Sequence, residues 1–133
     1  MSQMARGAVL LPAAMTENRR VASTGQLIAL ADPAYQNWLN TLDDDLTVSN
    51  GVLLYCHDTL PERNATFEVT DYAPGHLMIG DDGGGRGFLI ACTGRPSPVF
   101  QVDHGSLQED DFARVADTFI DWKAAGFALP PDQ

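Results

Sequence analysis

Apolar residues change their period several times along the chain, and each change marks an element. Tyr35, Trp38, Leu39 and Leu42 fall at i, i+3, i+4 and i+7, behind Asp32 as an N-cap and Pro33 at the first helical position. This spacing predicts an amphipathic helix over 33–42. Asp43, Asp44 and Asp45 then set three carboxylates against the negative end of the helix dipole, which favours termination. Further upstream, Glu17 to Leu30 can be drawn as a helix with Val21, Leu27 and Ile28 on one side, although Ser23-Thr24-Gly25 weakens its middle.

Ser49-Asn50-Gly51 is a turn signal, and the continuous apolar run Val52 to Cys56 reads as a buried strand. Between Asp58 and Tyr72 a short helix is expected around Glu62 to Val69, stopped by Ala73-Pro74-Gly75. Leu77-Met78-Ile79 and Phe88 to Ala91 read as strands on either side of a glycine-rich loop. After a second loop at 93–98, Val99 to Val102 forms another strand. Ser106 and Glu109 then have capping-box spacing, which predicts a last helix presenting Phe112, Val115, Ala116, Phe119 and Trp122 or Lys123. Gly126 is its C-cap, and Pro130-Pro131 forbids continuation.

Short connections favour antiparallel neighbours, so the expected class is α+β: a small, mostly antiparallel sheet flanked by helices. Residues 1–31 read as an N-terminal extension with an uncertain helix, 32–129 as the domain, and 130–133 as a tail.

Composition adds the sign of the surface. The 133 residues carry eighteen acidic and eight basic side chains, a formal charge of -10, and all but two of the acidic residues lie beyond residue 42. Phosphate contacts need Lys and Arg, so direct nucleic-acid binding is not expected, and a basic partner is the natural complement. Cys56 and Cys92 sit in or beside apolar runs without Cys-x-x-Cys spacing and read as buried free thiols. The apolar stretch Ala8 to Met15 is interrupted by Pro12 and is far shorter than the roughly 20 residues that span a bilayer. No membrane association and a cytoplasmic location are the expectation.

Candidate chemistry centres on Gly80-Asp81-Asp82-Gly83-Gly84-Gly85-Arg86-Gly87. A phosphate-binding P-loop needs a Lys, a following hydroxyl and a helix, whereas this loop has neither residue, repels phosphate with two carboxylates, and leads into a strand. A cation site would need Asp81 and Asp82 to converge with Asp103 or His104, but EF-hand spacing is absent, and His57, His76 and His104 are scattered. Asp103 and His104 are adjacent on a strand and point to opposite faces, which opposes a triad hydrogen bond; His104 reads more simply as a strand-end residue bonded to a loop. No metal, cofactor or catalytic group is therefore assigned.

The run Tyr72-Ala73-Pro74-Gly75-His76-Leu77-Met78-Ile79-Gly80-Asp81-Asp82-Gly83-Gly84-Gly85-Arg86-Gly87-Phe88-Leu89-Ile90 resembles the signature of the SUKH superfamily. That superfamily includes bacterial toxin-immunity proteins and yeast cell-wall-synthesis regulators. The segments Ser49 to Tyr55, Glu62 to Val69 and Pro98 to Gly105, and a closing helix with Phe119 and Trp122, extend the resemblance over about residues 33 to 127. It implies a non-enzymatic SUKH-like domain, and many members look like immunity proteins that neutralise a cognate toxin by binding it. An acidic domain suits a basic toxin such as a nuclease. Contact candidates are Asp43, Asp44, Asp45, Asp58, Glu62, Asp71, Asp81 and Asp82, with Tyr55 or Tyr72 as aromatic anchors. A regulatory or scaffold module without a toxin is the alternative, and a metal-dependent hydrolase built on Asp81, Asp82 and His104 is a third.

Overall fold

The computed structural model describes residues 23–129; the readings for the apolar stretch 8–15, for residues 17–22 and for the tail 130–133 lie outside these residues. Among the described residues, five short helices flank a six-stranded sheet: α1 (Thr24–Ala29), α2 (Pro33–Leu39), β1 (Leu46–Thr47), β2 (Leu53–Leu54), α3 (Thr59–Thr66), α4 (Val69–Tyr72), β3 (His76–Asp81), β4 (Arg86–Ala91), β5 (Val99–Asp103), β6 (Ala113–Ala116) and α5 (Phe119–Ala124). The strands pair in sequence order, each antiparallel to the next, so the sheet is a meander. The protein is therefore α+β, with an antiparallel sheet flanked by helices.

Local chemistry accounts for where α1 and α2 begin. Ser23 caps α1 through a capping box with Gln26, in which each backbone N–H donates to the other's side chain, at 3.1 and 2.8 Å. The Ser-Thr-Gly run expected to weaken a longer helix is instead its start. Leu27 and Ala31 are buried, so residues 23–31 belong to the body of the fold. Asp32 accepts from the Ala34 N–H at 2.9 Å, with Pro33 at the first helical position as expected. The helical segment expected at 62–69 is two helices, broken at Glu68, which adopts left-handed φ 53° and ψ 43°.

The largest departure lies after β5. Instead of a helix from Ser106, there is a single 3-10 turn at Glu109–Asp111, then an edge strand, then α5. The Ser106 hydroxyl donates to the Asp111 carboxylate rather than capping a helix. Pairing of β6 with β5, with Phe100 opposite Arg114 and Gln101 opposite Ala113, covers backbone donors and acceptors that a helix would leave to water. The helix begins only at Thr118, whose hydroxyl accepts from the Asp121 N–H at 3.0 Å.

Directly opposed residues of an antiparallel pair share a face. Phe88 and Gln101 lie on one face, where the Phe88 ring meets Trp122 of α5 at 4.8 Å and Tyr35, Trp38, Phe119 and Phe127 complete an aromatic cluster. Gly87, Leu89 and Phe100 lie on the other. The register between β3 and β4 shifts after Met78, so Ile79 is an extra residue and Asp81 pairs with Gly87. This bulge moves Asp81 off the face of Leu77 and onto the face of Met78.

Candidate functional site

Three arrangements hold the candidate residues: a buried polar clamp under the glycine loop, an acidic surface at the start of α3, and a groove beside α4.

The clamp begins at Tyr55, which is fully buried and whose hydroxyl donates to Asp81 Oδ2 at 2.5 Å. Burial raises the phenol's pKa well above the ordinary tyrosine range, and the hydrogen bond and charge of Asp81 add to the shift, so the group stays protonated and donates. Asp81 Oδ1 accepts from the Gly83 N–H at 2.9 Å, and Asp82 Oδ1 accepts from Gly84 at 2.8 Å and Arg86 at 3.1 Å. Gly83 and Gly85 have φ of 74° and 104°, which explains why glycine stands at both. The loop's carboxylates thus fold the loop itself. Tyr55 presents no surface to a partner and Asp81 very little, which corrects their reading as contact residues; the half-buried Asp82 spends one oxygen on its own loop.

Two further features support the clamp: Asn64, which no pattern pointed to, and His104, which the sequence read as a strand-end residue bonded to a loop. Where β2 parts from β3, the Asn64 carboxamide takes over the role of a neighbouring strand, accepting from the Met78 N–H at 2.8 Å and donating to the Met78 carbonyl at 3.0 Å. An asparagine inside a helix is a weak signal that its side chain is used. His104 stacks on Phe67 with ring centroids 4.0 Å apart, and its backbone N–H donates to the Gly85 carbonyl at 2.8 Å. The second strand end and the glycine loop therefore do meet. Partial burial lowers the His104 pKa; the charges of Asp81, Asp82 and Asp103 pull it upward without overcoming the burial, and Arg63 adds to the lowering. Its Nε2 is buried with no hydrogen-bond partner. Among the described residues no group of three or more His, Cys, Asp and Glu side chains is arranged to hold a metal ion.

The remaining candidates divide between two surfaces. Asp45 accepts from the Cys56 N–H at 2.8 Å, which brings the 43–45 run to the start of α3, where Asp58 and Glu62 are exposed. Partial burial pushes the Asp45 carboxyl up, but hydrogen bonds from Cys56 and Thr59 and the charge of Arg63 hold it below 3.8. Asp43 and Asp44 are exposed. On the second surface, Asp71 and Tyr72 lie on α4, and the Tyr72 side chain is 58% exposed. Tyr72 borders two pockets, of about 370 Å³ beside Phe67, Glu68 and His104 and about 530 Å³ beside Pro74, Glu109 and Asp110. Cys56 and Cys92 are free and buried, as their setting predicts. No helix among the described residues is long and apolar enough to cross a membrane.

These features define an α+β protein with a closed polar clamp and an acidic, aromatic surface. No family model matches the chain, and no curated protein matches it.

Proposed function

We propose that this chain is a non-enzymatic protein-binding domain, an immunity protein of SUKH type that neutralises a basic cognate toxin, such as a nuclease, by occluding it in the cytoplasm. The observation that carries this reading is the exposed Tyr72 ring set among Glu68, Asp71, Glu109 and Asp110, an aromatic anchor inside a carboxylate rim. Buried aromatic anchors dominate protein interfaces, and complementary charge steers their association. The resemblance of residues 72–90 to the SUKH signature supports the same reading, as does the net charge of -10. Nothing in it calls for a cofactor, a nucleic acid or a membrane.

The test is co-expression with the product of the adjacent gene. Protection from that product's toxicity, together with a stable complex on copurification, is the expected result. A stable complex with a non-toxic protein would instead favour a regulatory or scaffold module, and absence of protection would refute the immunity reading.

A further inference from the structure

The groove beside α4 has a chemistry that selects its occupant. Tyr72 and Gln108 line both of its pockets, so the two adjoin at these residues. The first pocket, about 370 Å³, is walled by the stacked Phe67 and His104 rings and has Glu68 in its lining. The second, about 530 Å³, carries Glu109 and Asp110. None of the described residues lining either pocket is Lys or Arg. A long side chain with an apolar stem and a cationic head matches such a surface: the stem covers the ring walls while the head meets carboxylate and the π-face of tyrosine.

We infer that this groove binds an extended basic peptide segment of a protein partner, with an arginine stacked on Tyr72 and directed toward Glu68, and a second cationic side chain against Glu109 and Asp110. Arginine is preferred over lysine at the first position because its planar guanidinium both stacks on an aromatic face and forks onto a carboxylate. The His104 ring in the wall adds no opposing charge at neutral pH, because its burial favours the neutral form. This inference rests on the protein-binding reading above and names the face and the ligand chemistry within it.

The probe is the capped peptide Gly-Arg-Gly-Arg-Gly, titrated into the full chain and followed by backbone amide NMR shifts, with Lys-for-Arg and Glu-for-Arg peptides alongside. Saturable shifts confined to Glu68–Tyr72 and Gln108–Asp110 are expected, weaker with lysine and absent with glutamate. Tyr72→Ala should weaken binding about twofold to fivefold, the range of an exposed cation–π contact. The doubly substituted Asp43→Asn, Asp44→Asn chain, altered on the other acidic surface, should bind as before. Shifts centred on Asp43, Asp44 and Asp58, or spread without saturation, would overturn the inference, as would unchanged binding by the Tyr72→Ala chain. Peptide binding without protection in co-expression leaves the groove standing with a different partner. Protection that survives Tyr72→Ala, with no peptide binding, leaves the immunity reading standing and removes the groove.

Discussion

The Asn64 carboxamide holds both backbone polar groups of Met78, accepting from its N–H at 2.8 Å and donating to its carbonyl at 3.0 Å, and so continues the sheet's hydrogen bonding with a side chain. All the atoms involved are buried, so water cannot replace the amide. Asn64→Ala should therefore cost about 2–4 kcal/mol, the penalty of stranding a buried donor and acceptor. Urea unfolding would measure it.

Tyr55 and Asp81 form a second buried dependency. Tyr55→Phe keeps the ring but leaves Asp81 Oδ2 without its donor at 2.5 Å. A loss of about 1–3 kcal/mol is expected. Because Asp81 also anchors the Gly83 N–H, amide exchange in the glycine loop should quicken in the same variant.

The glycines of β3 and β4 should differ in cost. A Cβ on Gly80 would lie 2.4 Å from the Leu53 backbone carbonyl oxygen, which cannot yield without moving β2. On Gly87 it would meet chiefly the flexible end of Met78, at 2.6 Å from the methyl carbon. Gly80→Ala is expected to destabilise by several-fold more than Gly87→Ala, as compared by thermal unfolding midpoints.

His104 makes stability pH-dependent. Its folded pKa lies below the ordinary 6.5, so between the two values the unfolded chain binds more protons than the folded one. Stability is therefore fullest above pH 6.5 and declines as pH falls from there through the folded value. Replacing the imidazole in His104→Gln should flatten that slope; an unchanged slope in urea midpoints between pH 7.5 and 5.5 would contradict the assignment.

Glu68 occupies a left-handed conformation that glycine adopts without strain. Glu68→Gly should raise stability by up to about 1 kcal/mol while weakening the arginine peptide. Opposite signs in unfolding and binding would mark Glu68 as a residue kept for contact rather than for folding.

Much of the architecture was readable before the fold. Asp32-Pro33 with Tyr35, Trp38 and Leu39 announces α2, and the glycine loop between two apolar runs announces the β3–β4 hairpin. The segment from Ser106 to Ala116 misled because Phe112, Val115 and Ala116 fit a helical face, while the open edge of β5 that claims this segment is non-local. Of the contact candidates, Asp71 and Tyr72 line or adjoin the groove, whereas Tyr55 and Asp81 are buried against each other. An aromatic ring and a carboxylate look alike in a sequence whether they face water or one another.

By itself the sequence determined the α+β class, the antiparallel hairpin, the acidic character and the free thiols, because these follow from local period, turn chemistry and composition. Tertiary structure alone decided that β6 is a strand, that a bulge at Ile79 turns Asp81 onto the Tyr55 face, that Asn64 substitutes for a strand, and that Tyr72 divides a groove. Each of these depends on hydrogen-bonding groups or surfaces supplied by segments distant along the chain, and no local pattern encodes what a distant segment leaves unpaired.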